Sequence, residues 1–190
     1  MPDPKGAPGP LEARPTSMAA GASLLFLREE EIRAAQDLLF FAYRDFTGAA
    51  DARLEELGLG RAHHRALHFI GRNPAITVSE LLGILRITKQ SLARVLSVLM
   101  ERGYVAQSAG RADRRQRLLT LTPAGAALER QLFDRQRELL TAAYREAGGA
   151  AVEGFRKVLR ALTGQAAAQA GRSLLACAEP PAREPHARSA

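Results

Sequence analysis

A mainly α-helical fold with a small β-hairpin wing is predicted: a winged helix-turn-helix core flanked by N- and C-terminal dimerisation helices. Three features predict it. Thr88 to Arg102 carries Leu92, Val95, Leu96 and Leu99 at helical spacing, with Lys89, Gln90, Ser91 and Arg94 largely off that apolar face. Two short runs rich in Val, Tyr, Leu and Thr, Tyr104–Gln107 and Arg117–Leu121, follow as strands around the polar stretch SAGRADRRQ. Thr122-Pro123 then restarts a helix, with Thr as its cap and Pro where a missing amide costs nothing.

Taken in order, residues 1–22 hold Pro2, Pro4, Pro8, Pro10 and Pro15 among Gly, Ala and charges, and read as a disordered tail. Residues 23–60 form a long helix and its connection. Ile32, Ala35, Leu39, Tyr43 and Phe46 mark one face, while Leu38 and Phe41 add a second strip. Two strips on one helix suggest burial on two sides, one against another subunit. Gly58 and Gly60 bracket a turn, and Arg61 to Gly71 is a short helix that Asn73-Pro74 breaks. His63, Leu67 and Ile70 share one of its sides, His64 and His68 another. Thr77 with Glu80 matches a capping box, so a helix begins near Val78 and runs through Leu82 and Leu85. It is the first helix of the helix-turn-helix; Thr88, a good N-cap, opens the second, and Gly103 ends it. Residues 61–122 are thus the expected DNA-binding domain. Residues 123–170 give two helices, the first marked by Leu128, Leu132, Leu139 and Ala143, the second by Val152, Phe155, Leu159 and Leu162. Gly148-Gly149 separates them, and 171–190 reads as a second tail.

The charge is concentrated. The 190-residue chain carries a net charge of +7, and from Arg86 to Arg117 eight basic residues face only Glu101 and Asp113. A basic stripe on a helix and a hairpin suits duplex DNA, because a helix fits the major groove and a thin arginine loop the minor groove. One cysteine, Cys177, excludes an intramolecular disulfide framework, and no apolar run reaches the roughly 20 residues that cross a bilayer. A cytoplasmic protein without a cofactor is the expectation. No glycine-rich phosphate loop, nucleophile elbow or paired carboxylates support an enzyme.

With ELGLGRAHHRAL, TVSELLGIL, ITKQSLARVLSVLMERGYV and ADRRQRLLTLTPAG in place, the sequence resembles the MarR family of bacterial transcriptional regulators over roughly Ile32 to Leu162. The resemblance implies an obligate homodimer that binds a palindromic operator in double-stranded DNA. It also implies control of transcription, usually repression, that a small-molecule effector or oxidation can release. Where relatives often carry a hydroxyl, Ala93 stands here; where an aromatic residue is common, the pair His63-His64 stands. Oxidation-sensing relatives use a cysteine in the first helix, which has none here.

Lys89, Gln90, Ser91 and Arg94 are the expected contacts to bases and phosphates. Gln90 has the groups to pair with adenine, and Arg94 those for guanine or a phosphate. In the wing, Arg111, Arg114 and Arg115 are the expected backbone and minor-groove cations, with Arg115 the one inserted and Asp113 orienting an arginine. His64 and His68 stand at the i,i+4 spacing of a zinc pair, but no third ligand accompanies them. With His63 they are candidates for lining a ligand pocket rather than a metal site. Two other readings share much of the pattern: a non-specific architectural DNA-binding protein, and a winged-helix interaction module.

Overall fold

The computed structural model describes residues 25–110 and 115–176, with side chains through Thr163. The two terminal tails to residue 24 and from residue 177, Cys177 included, and the wing residues Arg111, Asp113 and Arg114 lie outside the described residues. A 3-10 turn, Leu25–Leu27, precedes helix α1, Glu29–Glu56; α2 is Arg61–Arg72, β1 Ile76–Thr77, α3 Val78–Leu85 and α4 Lys89–Glu101. Strands β2, Val105–Ala109, and β3, Arg117–Leu121, then lead to α5, Pro123–Ala176. The chain divides into two compact units, Met1–Arg44 and Asp45–Ala190, the division falling inside α1.

In the second unit, local chemistry sets the helix ends. Thr77 Oγ1 accepts the Glu80 amide at 3.1 Å, and Glu80 Oε2 accepts from the Thr77 amide at 2.8 Å. The bond from the Thr77 amide first, and that from the Thr77 hydroxyl, which donates to Glu80 Oε2 at 2.7 Å, second, lower the pKa of the Glu80 carboxyl. Thr88 Oγ1 accepts the Ser91 amide at 3.1 Å and so caps α4. Gly103 ends that helix in the left-handed region, φ 71°.

The sheet has three antiparallel strands in the order β1-β3-β2. Val105 pairs with Leu121 and Ala109 with Arg117, while on the other edge Ile76 pairs with Leu119. The sequence gives no sign of β1, which is two residues long and joins the sheet through a distant partner. Leu92, Val95, Leu96 and Leu99 of α4 are all buried, with Leu54, Leu67, Ile70, Leu81, Leu119, Leu128 and Leu132, in one continuous core. Burying a Leu-sized side chain is worth about 1.5–3 kcal/mol, so the apolar face of α4 alone anchors that helix firmly.

Thr122 stitches the wing to α5. Its amide donates to the Tyr104 carbonyl at 3.0 Å, its hydroxyl donates to the Gly103 carbonyl at 2.6 Å, and Gly125 N donates to Thr122 Oγ1 at 3.0 Å. Gly125 lies so close to this junction that an added Cβ would fall on the Tyr104 carbonyl oxygen.

Two expectations are corrected. The pair of C-terminal helices is one element, since α5 continues past Gly148-Gly149, although Gly148 leaves helical geometry at φ 78°. A glycine in a helix interior costs about 1 kcal/mol, less than giving up the turns on both sides. The backbone is also helical through Ala176, beyond the tail expected from Gly171, where Arg172, Leu174, Leu175 and Ala176 are good helix formers.

Candidate nucleic-acid interface

Helix α4 presents two faces of opposite character. Leu92, Val95, Leu96 and Leu99 are buried, while Lys89, Gln90, Ser91 and Arg94 are exposed, so the four expected contact residues emerge together around the first turn. The fold brings them together for a local reason: Thr88 fixes the start of the helix, and the core fixes its rotation. Ser91 is partly engaged, because its Oγ accepts the Thr88 hydroxyl at 2.8 Å, leaving its own O–H to donate outward. Glu101, the only acidic residue of α4, lies at its far end. The N-terminal end of α4 therefore combines free amide donors, the positive end of the helix dipole and Lys89, with Arg94 one turn further on.

The wing is closed by Gly110 N donating to the Gln116 carbonyl at 3.0 Å. Arg115 is exposed just before β3, and Arg117 is exposed within it. Arg111, Asp113 and Arg114 belong to the same loop but lie outside the described residues. Two further cations near the helix-turn-helix behave differently from one another. Arg102 at the end of α4 donates through Nη1 to the Leu57 carbonyl and ties the helix to the turn before α2. Arg86, between α3 and α4, is exposed and stands in the left-handed region at φ 51°. In the sequence Arg86 stands out only as charge, and nothing in Leu85-Arg86-Ile87 announces its backbone conformation.

The three histidines of α2 meet three different surroundings. His63 Nδ1 accepts the Gly60 amide at 3.0 Å, which requires that nitrogen to be unprotonated, and burial lowers the His63 pKa. His64 is buried, and its pKa is lowered by that burial first and by the neighbouring His68 second, with Asp51 opposing. Asp51 is itself held low by the guanidinium of Arg61, 2.6 Å away. His68 lies 3.4 Å from Glu129 of α5 and edge-on to Phe69, with ring centroids 5.1 Å apart. His64 and His68 thus share a neighbourhood, whereas His63 is spent on the helix start. Among the described residues, no three His, Cys, Asp or Glu side chains stand close enough to hold a metal ion.

The sequence pattern of the MarR family matches residues 57–116, from the α1–α2 turn into the wing. The HTH-type transcriptional regulator PetP of Rhodobacter capsulatus is 50% identical over 147 residues, covering 77% of this chain and 89% of that protein. Among solved structures, Streptococcus pneumoniae FabT in complex with DNA superposes with a TM-score of 0.61 at 18% identity, covering 69% of this chain and 94% of that one. A mutant E. coli MarR complexed with operator DNA gives a TM-score of 0.56 at 24% identity, covering 73% and 97%. At such identities these two establish the shared winged-helix fold.

Proposed function

The chain belongs to the MarR family of transcriptional regulators, and from that premise we propose that it is a homodimeric repressor that reads a palindromic operator. The observation that carries this reading is the exposed group of Lys89, Gln90, Ser91 and Arg94 on a helix whose opposite face is fully buried. Such a helix is held rigidly by its core and offers its N-terminal end to the major groove. In this mechanism Gln90 and Arg94 contact base edges, while Lys89 and Ser91 contact phosphates. Arg111, Arg114 and Arg115 follow the backbone into the minor groove, with Asp113 orienting an arginine.

The dimer is supported by exposed apolar side chains in each of the two units. Ile32, Leu38, Leu39, Phe40, Phe41 and Tyr43 are each roughly half or more exposed on α1, and Phe155, Val158 and Leu162 are exposed on α5. Apolar surface of that extent normally marks an interface. Sedimentation at micromolar concentration is expected to give twice the 20.5 kDa of one chain.

The experiment for DNA reading is competition between a duplex selected from a random pool and a scrambled duplex of equal length. A specific regulator is expected to prefer the selected duplex by about a thousandfold or more. Near-equal binding would instead identify an architectural DNA-coating protein, and no binding a winged-helix interaction module.

A further inference from the structure

The turn between α3 and α4 holds an arginine where the backbone favours glycine. Arg86 caps α3 at φ 51° and ψ 44°, and its amide donates to the Leu82 carbonyl at 3.0 Å. In that conformation the Cβ of an L-residue crowds its own carbonyl, a cost that glycine avoids. The turn is not free to relax. Arg65 of α2 donates through Nη2 to the Leu85 carbonyl at 3.2 Å, and Ile87 packs against the core on the other side. The Arg86 side chain returns nothing to the fold: it is exposed, and no hydrogen bond or ion pair holds it among the described residues. A strained residue whose side chain has no internal task is a candidate for an external one.

We infer that Arg86 is a DNA-backbone contact, its guanidinium gripping a phosphate at the rim of the groove that α4 enters. This rests on the DNA-binding reading above and adds to it a residue of a different kind. Arg86 lies two residues before the Thr88 cap and three before Lys89, so it shares the end of α4 that faces the groove. A guanidinium in that place offers a planar fork matched to phosphate oxygens. Phosphate contacts set register and affinity but do not discriminate between bases. Arg86 therefore contributes equally on any duplex, unlike Gln90 or Arg94.

The test uses the full chain, a duplex selected from a random pool, a scrambled duplex, a salt series and thermal melts. The variants are Arg86→Gly, Arg86→Lys and, as reference, Arg94→Ala. Arg86→Gly is expected to melt at the same temperature as the parent or higher, because the steric cost is gone. It should weaken binding to both duplexes by a similar factor of roughly ten at low salt, and flatten the salt dependence by about one counterion per half-site. Arg86→Lys should keep most of the salt dependence, while Arg94→Ala should lose affinity chiefly on the selected duplex. If Arg86→Gly binds as tightly as the parent while Arg94→Ala is impaired, the inference about Arg86 is overturned and the DNA-binding reading stands. A lower melting temperature for Arg86→Gly would overturn it too, by showing the arginine to be structural. If the parent binds neither duplex, both the reading and the inference fall.

Discussion

Leu67 and Phe41 are large apolar residues on neighbouring helices of the sequence, yet Leu67 has no exposed surface and Phe41 is 54% exposed. The contrast extends to their surroundings. Leu67 belongs to a unit in which the end of α1, α2, α3, α4, α5 and the three strands enclose one core from Ala50 to Leu132. Phe41 belongs to the half of α1 before Arg44, where Ile32, Leu38, Leu39, Phe40 and Tyr43 are exposed as well. The core around Leu67 is closed by side chains of this one chain. The region around Phe41 leaves large apolar side chains exposed among the described residues, and these are the side chains that the proposed dimer would cover.

Substitutions on either side put this contrast to the test. The largest effect is expected from Leu67→Ala, which opens a cavity in a fully enclosed site and should cost about 2–5 kcal/mol. Denaturant titration should find that loss unchanged across protein concentrations, since the core needs no partner. Phe41→Ala is expected to behave in the opposite way. Its cost, about 1–3 kcal/mol per chain, should depend on protein concentration and shift the sedimenting species toward a single chain. Equal stability and equal mass for Phe41→Ala at nanomolar concentration would mean that this face is not covered.

A third prediction concerns pH and the buried histidine. The His64 pKa is lowered in the folded chain, by burial first, so the unfolded chain binds a proton that the folded chain resists. Stability should be full above the unfolded value near 6.5 and fall as pH drops through it, levelling once the folded state also protonates. One such group gives a slope of at most about 1.4 kcal/mol per pH unit. His63, lowered mainly by burial as well, acts in the same sense, and its protonation also removes the acceptor for the Gly60 amide. His64→Gln should flatten the slope between pH 7 and pH 5; an unchanged slope would assign it elsewhere. The smallest effect is a gain. Gly83 is an exposed interior position of α3, and a Cβ there meets nothing within 4 Å. Gly83→Ala should therefore raise stability by about 0.5–1 kcal/mol, measured by thermal melting.

What could be read from the sequence is what depends on near neighbours. The Thr77–Glu80 box, the Thr88 cap, the Gly103 stop and the Thr122-Pro123 start each need only three or four residues, and each stands where it was expected. The face of α4 follows from one period, so its buried and exposed residues were legible together. Strand β1 was not, because two residues have no periodicity and its pairing to Leu119 crosses the whole helix-turn-helix. The histidines show the same limit. Spacing places His64 and His68 on one side of α2, but the burial of one, beside Asp51 of α1, and the approach of the other to Glu129 of α5 depend on other helices. The left-handed Arg86 was equally hidden, since its turn is held by Arg65 of α2 on one side and by Ile87 in the core on the other.

The stitch at Thr122 decides where this chain can change length. Three hydrogen bonds and a missing Cβ bind Gly103, Tyr104, Thr122 and Gly125 into one knot at the base of the wing. One residue inserted between Thr122 and Gly125 would turn everything beyond it by about 100°, swinging Leu128 and Leu132 out of the core and the later apolar positions of α5 with them. An insertion between Gly110 and Arg115 turns nothing, because the ladder from Val105–Leu121 to Ala109–Arg117 is already closed beneath it. A change of length at the tip of the hairpin would therefore move only the proposed wing contacts to DNA and spare the fold, while the root tolerates neither gain nor loss.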